Sequence, residues 1–196
     1  MIIVAFYSHK NALKVLEEHY NEELKEIIEC IEEVDASKTF GLKVSEEKTM
    51  EGESLYAPKE LNNFFSSAFE KRGWKSQVKI PTSTKLQFWP NLNQERIMLY
   101  ESEHKGFRSM DFVKHSVGVE IQFGKYAFMV YNVAAKMTIF AKHNIIKVGV
   151  EIVPMKRMAS KMSTGVSYFE QMKADLEMRG ESNIDVAALV LGIDDF

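Results

Sequence analysis

Cysteine is scarce in this sequence: Cys30 is the only one among 196 residues. A single thiol excludes an internal disulfide and a cysteine-rich zinc site. The five histidines have no spacing typical of metal ligands, so the sequence does not indicate a histidine zinc site either. A sequence with a single cysteine suits a reducing compartment, and we therefore expect a cytoplasmic protein.

Long hydrophobic runs are absent as well. The longest apolar stretch, residues 126–141, is interrupted by Asn132 and Lys136. The apolar residues 1–6 are too few for the hydrophobic region of a signal peptide, and no basic residue precedes them. We therefore expect neither a membrane span nor a secretory signal.

An excess of basic charge is also missing, because the formal net charge is −3. This balance at first argues against a nucleic-acid partner. The acids are concentrated, however: residues 17–35 carry nine acids and one base, so the rest of the chain is net basic. Segregated charge leaves one face able to attract phosphate groups. On charge alone, the simpler interpretation of residues 17–35 is an acidic helix face in contact with solvent. The same interpretation explains Glu23 and Glu26; the alternative is that these two acids lie near a metal ion.

Hydrophobic periodicity indicates a mixed α/β fold in a single domain over residues 1–196. Steps of three and four residues predict one long amphipathic helix from the N-cap Asn11 to residue 34. Alternation of apolar and polar residues predicts strands over 117–123 and 147–153. The apolar residues between them, 126–143, are numerous enough to predict a helix that is buried on most sides. We further predict a strand over 2–7, a loop over 37–54, a helix from Pro58 to Gly73, a short helix within 93–103, a helix over 168–178 and a strand over 187–191. Residues 74–110 are hard to assign.

The strand over 117–123 carries the residues most suited to chemistry. Side chains alternate across a strand, so Glu120 and Gln122 share one face while the apolar residues between them share the other. Asp111 lies nine residues earlier, far enough to sit on a neighbouring strand or turn. Two converging carboxylates repel each other unless a cation lies between them, and oxygen ligands favour Mg²⁺. The backbone carbonyl of Ile121 is a natural third ligand. The alternative is a half-buried strand that shows its polar face to solvent.

Residues 110–126 resemble the active-site hairpin of the BstYI/BglII type II restriction endonucleases, in the PD-(D/E)XK nuclease superfamily. Met110-Asp111 stands where the superfamily has Pro-Asp, and Glu120-Ile121-Gln122 where it has Glu-X-Lys. Glutamine at the lysine position is typical of this branch, and the sequence is more similar to BstYI than to BglII. The resemblance continues through residues 7–9, 46–49, 55–62, 148–156 and 161–168, and it is poor over 74–109.

The resemblance implies a three-layer α/β/α restriction-endonuclease fold with a central mixed sheet flanked by helices. It implies cleavage of both strands of a palindromic DNA site with a GATC core, in the form RGATCY, leaving 5′-GATC overhangs. Asp111, Glu120 and the Ile121 carbonyl would bind Mg²⁺, and Gln122 would position the attacking water. An amide is no general base at neutral pH, so activation of the water would fall to the metal or to a substrate phosphate.

The same resemblance implies that several further residues contact DNA. Lys125 would read a guanine at the outer base pair or bind a phosphate. Ser163, Thr164 and Ser167 form a hydroxyl-rich loop that would also contact DNA, and Thr164 matches a serine that reads the outer base. Without the family, all three would be interpreted as helix N-cap residues. Two lysines of the loop over 37–54 are candidate phosphate contacts, Lys43 and Lys48. The region 74–109 would be a variable insertion.

A palindromic site is matched most simply by a homodimer, in which each subunit contacts one half-site. The helix over 126–143 is apolar around much of its circumference, so a second subunit or the monomer core would have to cover it. A restriction enzyme also implies a cognate DNA methyltransferase in the same system. Two alternatives stay open: a nuclease of the same superfamily for repair or mobile-element processing, and a DNA-binding module without catalysis.

Overall fold

The computed structural model describes residues 1–100, 104–179 and 184–195. Eight strands are β1 (Ile2–His9), β2 (Phe40–Val44), β3 (Ser54–Tyr56), β4 (Lys75–Thr84), β5 (His104–Lys114), β6 (Val117–Ile121), β7 (Val148–Pro154) and β8 (Ala187–Asp194). The α-helices are α1 (Ala12–His19), α2 (Asn21–Glu33), α3 (Pro58–Lys71), α4 (Gln94–Met98), α5 (Tyr126–Tyr131), α6 (Met137–Lys142), α7 (Lys156–Ala159) and α8 (Phe169–Arg179). A π-helical segment, Asn132–Lys136, joins α5 to α6.

Six strands form a mixed central sheet in the order β1-β8-β7-β6-β5-β4. The middle of the sheet is parallel, since β6 pairs with β7 and β7 with β8 in the same direction. The three outer pairings, β1 with β8, β4 with β5 and β5 with β6, are antiparallel. The strands β2 and β3 form a separate two-stranded hairpin. This topology confirms the predicted α/β class.

Helices α1, α2 and α3 cover one face of the sheet. Their buried apolar residues pack in one cluster with the side chains of β6, including Val117, Val119 and Ile121, and with Phe123 beyond the strand. The alternation predicted for this strand is therefore confirmed on its apolar side. Cys30 is fully buried in the same cluster, and burial raises the pKa of its thiol to about 12.

The opposite face is covered by α5, the π-helical segment, α6 and α8. Met129, Val133, Met137 and Phe140 are fully buried in a second cluster against the sheet. The sheet thus lies between two helical layers, as the three-layer expectation requires. The monomer core takes up this helix face, so these four residues offer no surface to a second subunit. Within the described residues, no helix is long and apolar enough to cross a membrane.

Two glycines allow close packing on this face of the sheet. Gly118 on β6 and Gly149 on β7 are aligned in the parallel register. A Cβ atom on Gly149 would lie 2.3 Å from the sulfur of Met137, and one on Gly118 would lie 2.3 Å from the sulfur of Met110. A side chain at position 149 would push α6 away from the sheet, and one at position 118 would displace Met110 on β5 and Ile146.

Three local expectations differ from the structure. The long first helix is split at Tyr20, and Asn11 makes no side-chain cap; the Ser8 hydroxyl accepts the N–H of Leu13 instead, at 3.0 Å. The expected loop over 37–54 contains β2 and is closed by β3. The unassigned region contains β4, a mostly exposed edge strand whose position allows Pro81 in the pairing with β5. Its apolar alternation is short, because only Val78 and Ile80 of β4 pack in the second cluster and Pro81 follows them directly.

Candidate active site

Asp111 and Glu120 lie opposite each other on the antiparallel strands β5 and β6, one position beyond the Phe112–Val119 pair. Asp111 Oδ2 accepts the backbone N–H of Ile121 at 3.0 Å. Asp111 Oδ1 accepts a hydrogen bond from Nε2 of Gln77 at 3.2 Å. The structure therefore brings the two predicted carboxylates together across a strand pair, as their spacing suggested.

Gln77 is held in an unusual backbone conformation beside this pair. Its φ is +49°, in the left-handed region that side chains rarely adopt within a strand. Its side-chain carbonyl accepts the hydroxyl of Ser109 at 3.0 Å, while its amide donates to Asp111. Local strain of this kind persists where the surroundings impose it, often at functional sites. Here it orients the Asp111 carboxylate.

Glu120 faces the helical layer and contacts the π-helical segment. Its Oε2 lies 2.6 Å from Nζ of Lys136, in an ion pair that leaves 3% of the Glu120 side chain and 13% of the Lys136 side chain exposed. Its Oε1 is buried and has no hydrogen-bond partner among the described residues. Gln122 is also buried, and its Oε1 lies 3.4 Å from the donating amide of Asn132. These polar groups form the inner end of the site.

A second buried glutamate lies beside the first. Glu151 on β7 is aligned with Glu120 in the parallel register and is fully buried. The side-chain amide of Asn132 donates to its Oε1 at 3.1 Å, while its Oε2 has no partner among the described residues. Aligned like charges on neighbouring strands are unfavourable.

Burial and crowding of negative charge change the protonation of both glutamates. Burial, together with the charge of Asp111, raises the pKa of Glu120 to about 8. The ion pair with Lys136 works in the opposite direction and offsets this shift only in part. Burial, together with the charge of Glu120, raises the pKa of Glu151 well above its ordinary value.

A cleft of about 410 Å³ opens over this group. Its polar lining includes Asp111, Glu120, Gln122, Asn132, Lys136, Gln77, Ser109 and Arg108. Within 1–100, 104–179 and 184–195, no three His, Cys, Asp or Glu side chains lie together as a metal-binding group. The donor set nevertheless suits a hard divalent cation, because two carboxylates face each other and one of their oxygens has no partner. The other ligands would be a backbone carbonyl, water or substrate oxygens.

The candidate DNA-reading residues Lys125 and Ser167 lie on two adjoining loops. Lys125 is exposed and pairs with Val166 in an isolated antiparallel bridge. Ser167 is fully buried; its hydroxyl and its backbone N–H both donate to the carbonyl of Gly124 at 3.0 Å. Ser167 therefore presents no hydroxyl at the surface and instead holds the turn that displays Lys125.

Thr164 is exposed but engaged with the turn that follows β2. Its hydroxyl and backbone N–H donate to Oε2 of Glu47, at 2.5 and 3.0 Å. These two bonds, together with the nearby positive charges of Lys43 and Lys125, hold the pKa of Glu47 below its usual value. Of the other predicted contacts, Ser163 is half-buried on the same loop, and Lys48 is exposed in the turn after β2. The β2–β3 hairpin and the loop over 163–167 thus form one surface.

Glu23 and Glu26 are explained neither by solvation nor by a metal. Glu23 is buried and lies 2.6 Å from Nδ1 of His115. Glu26 accepts hydrogen bonds from the Lys114 ammonium at 2.7 and 2.8 Å and from the Trp74 indole at 2.8 Å. Both acids therefore anchor the turn between β5 and β6 to α2.

A family model described as restriction endonuclease BglII/BglIII matches residues 4–193. The chain belongs to this family. Within the BglII/BglIII family the chain is a type II restriction endonuclease, which confirms the resemblance at the level of BglII; the greater similarity to BstYI stays a prediction. No curated protein matches the sequence.

Two solved structures are similar to this restriction endonuclease. A crystal structure of the restriction endonuclease BglII complexed with a DNA 16-mer has 22% sequence identity and a TM-score of 0.73, covering 98% of this chain and 77% of that chain. A crystal structure of free BglII has 21% identity and a TM-score of 0.60, covering 98% and 80%. At this identity, the likeness shows the shared fold.

Sequence reasoning missed Glu151, Asn132 and Lys136 in the site of this family member. The pentapeptide Val-Gly-Val-Glu-Ile occurs twice, at 117–121 and 148–152, and the two copies pair in register. That repeat was the available signal for Glu151. For Asn132 and Lys136, the signal was two polar residues four apart in an otherwise apolar helix. In the linear sequence, these two residues indicated only that the apolar stretch is no membrane span.

Proposed function

We propose that this type II restriction endonuclease hydrolyses one phosphodiester in each strand of a palindromic double-stranded DNA site, with Mg²⁺ as cofactor. The proposal includes a GATC core, in the form RGATCY, and 5′-GATC overhangs. The observation that carries the chemistry is the pair of opposed carboxylates, Asp111 and Glu120, in a cleft that also holds Gln122. Sequence preference within the site rests on the resemblance to the BstYI-like enzymes.

Asp111, Glu120 and the Ile121 carbonyl would hold the Mg²⁺ ion. When bound, the ion supplies positive charge beside the scissile phosphate and makes a water molecule more acidic. The chain prepares this site in advance, because the Ile121 N–H and the Gln77 amide orient the two oxygens of Asp111. Preorganised groups of this kind cost no rearrangement during the reaction.

Gln122 is the candidate for orienting the attacking water. Its amide group both donates and accepts hydrogen bonds but carries no charge and takes up no proton at neutral pH. Its contacts here are long, 3.4 Å to the Lys125 carbonyl and 3.4 Å to Asn132. A water molecule can therefore replace either contact at little cost, and a phosphate oxygen can replace the Lys125 carbonyl as acceptor.

DNA would lie across the surface formed by the β2–β3 hairpin and the loop over 163–167. Lys125 and Thr164 would contact base edges, and Lys43 and Lys48 would contact phosphates. Residues 37–54 are then the DNA-contacting segment and 74–109 the variable one. Ser163 is a further contact, and Ser167 supports Lys125 from below.

Recognition of a palindrome favours a homodimer. Support comes from apolar side chains that the described chain leaves exposed on one stretch: Leu86, Trp89, Met98, Leu99 and Tyr100. Exposed apolar groups in such number mark interaction surfaces more often than free ones. A methyltransferase of the same specificity would protect host DNA in the cytoplasm where the enzyme acts.

Cleavage of phage DNA tests the proposal directly. Purified protein is incubated with the DNA and Mg²⁺, and the fragment ends are sequenced; samples with EDTA and with the D111N variant are the controls. Discrete fragments that share a GATC overhang support it. A smear indicates a nonspecific nuclease, and intact DNA with a gel shift indicates a binding module. Light scattering after size exclusion measures the oligomer, and a 22.5 kDa monomer on DNA would rule out the symmetric dimer.

A further inference from the structure

The Lys136 ammonium places a positive charge in the cleft, where strand β6 and the residue after it contribute none. In the Glu-X-Lys pattern, the lysine stands two residues after the glutamate, where this chain has Gln122. Lys136 reaches the same glutamate from the helical layer, with Nζ 2.6 Å from Oε2 of Glu120. Its side chain lines the cleft and retains some exposure toward it.

A π-helical turn delivers this lysine to the site. Lys136 and Asn132 are the two ends of the segment, and Asn132 donates to Glu151 while Lys136 pairs with Glu120. Segments with this wider turn interrupt α-helices mainly at functional sites. Both polar side chains thereby face the sheet while the flanking Met129 and Met137 remain buried in the apolar core.

A purely structural role explains the ion pair poorly. Taking two charges out of water is unfavourable, and apolar side chains at the same positions are often as stabilising. The pair also leaves Oε1 of Glu120 without a partner among the described residues, so it does not complete the hydrogen bonding of that carboxylate. A lysine that lines the cleft beside an incompletely hydrogen-bonded glutamate is better placed to contact a substrate than to stabilise the fold.

We propose that Lys136 is a further catalytic residue that donates to a non-bridging oxygen of the scissile phosphodiester. This rests on the proposed function. During hydrolysis the water oxygen bonds to phosphorus, the bond from phosphorus to the leaving deoxyribose oxygen breaks, and negative charge grows on the non-bridging oxygens. Lys136 stabilises that charge and keeps its own protons throughout. The ammonium of the usual strand lysine is thus supplied here from the helix, and Gln122 is left to orient water.

The test compares Lys136→Met with Lys142→Met, a matched control in which an exposed lysine of α6 is changed. Single-turnover cleavage of a cognate oligonucleotide is measured with Mg²⁺, and DNA affinity is measured separately by anisotropy with Ca²⁺. We expect K136M to cleave about 100-fold or more slowly than K142M. Affinity in Ca²⁺ should change by less than about threefold, because one phosphate contact among many is lost.

A relocated charge separates catalysis from folding. The double variant Q122K/K136M returns an ammonium to the strand and keeps a counter-charge for Glu120, so it tests the proposal even if K136M does not fold. We expect its cleavage rate to exceed that of a folded K136M by about tenfold or more and, where K136M does not fold, to lie within about tenfold of the K142M rate.

Two results would overturn the assignment of Lys136. One is a folded K136M that cleaves within about threefold of K142M. The other is a folded Q122K/K136M, by circular dichroism and melting temperature, that shows no recovery. A wild-type protein that cuts no DNA under any divalent cation is a different failure, because it removes the proposed function itself.

Discussion

Asp111 on β5 accepts the backbone N–H of Ile121 on β6, with 3.0 Å between Oδ2 and the nitrogen. The bond ties the first carboxylate of the site to the strand that carries the second, at the point where the strand pairing ends. An asparagine at position 111 offers the same acceptor without the charge. An alanine offers neither, so the two substitutions separate chemistry from structure.

We predict that D111N abolishes cleavage while its stability stays near that of the wild type. Loss of a metal-binding charge removes several kcal/mol of transition-state stabilisation, at least about 100-fold in rate. D111A should lose the same activity and in addition about 1 kcal/mol of folding free energy. Single-turnover cleavage and urea unfolding measure the two effects. A D111N enzyme within about tenfold of the wild-type rate would contradict the role of Asp111.

Glu151→Gln should stabilise the metal-free protein, and the more so as pH rises. Burial raises the folded-state pKa of Glu151 well above its ordinary value of 4.5. Between these two pKa values the folded chain holds a proton that the unfolded chain has released, so stability falls as pH rises through that window. Glutamine keeps the acceptor for Asn132 and has no proton to lose. Melting temperatures in EDTA at pH 5 and pH 8 check this.

The control for Glu151 is Glu17→Gln on an exposed helix position. We expect E17Q to follow the wild-type pH profile, while the gap between E151Q and the wild type widens from pH 5 to pH 8. A constant gap would show that Glu151 does not titrate with folding in this range.

Lys114→Met should destabilise the protein by about 1–3 kcal/mol. The Lys114 ammonium donates to both oxygens of Glu26 and to the Arg72 carbonyl, and all three bonds are partly buried. Its removal leaves the Glu26 carboxylate with the Trp74 indole. Lys71→Met removes an exposed ion pair and should cost less than about 1 kcal/mol. Equal effects in urea unfolding would exclude Glu26 as an anchor.

Gly149→Ala should lower stability by about 1–3 kcal/mol through overpacking. The new Cβ would fall 2.3 Å from the Met137 sulfur, which is fully buried and has little room to move. Removing the obstacle in a G149A/M137A double variant should recover part of that loss, although Met137→Ala alone is destabilising. The free-energy cycle from chemical denaturation measures the coupling. Strictly additive changes in the free energy of unfolding would mean that Met137 of α6 does not pack against Gly149.

Glu47→Gln should strengthen binding to DNA by about fivefold at low salt. Its carboxylate holds Thr164 and lies near the charges of Lys43 and Lys125, so it opposes phosphate on the proposed binding surface. Glu46→Gln, an exposed neighbour, is the matched control. Anisotropy at two salt concentrations measures both. Identical gains from the two variants would reflect net charge alone and not the Thr164 contact.

The amino-acid sequence predicted those parts of the site that lie within one element or one hairpin. Strand alternation placed Glu120 and Gln122 on one face, and a nine-residue spacing brought Asp111 to the neighbouring strand. The structure also has the predicted mixed sheet with helices on both faces. These features follow from local geometry, which a linear pattern records.

Contacts between distant elements were beyond such a pattern. Glu151 meets Glu120 only because β6 and β7 are parallel and in register, across a 31-residue separation in the chain. Glu26 was assigned to solvent because helical periodicity does not reveal that Lys114 and Trp74 converge on it. The edge strand β4 was missed because its apolar alternation is limited to Val78 and Ile80, with Pro81 directly after them.

The π-helical segment also sets how this part of the chain tolerates changes in length. Each residue in an α-helix turns the chain by about 100°, so one residue more or fewer rotates everything that follows. The wider turn at Asn132–Lys136 absorbs such an offset, with Met129 before it and Phe140 after it both on the apolar core. Deleting one residue there would convert the segment to a regular α-helix and dislodge one of these anchors or Lys136. Related chains are therefore expected to conserve the length of this stretch together with Asn132 and Lys136, which hold Glu151 and Glu120.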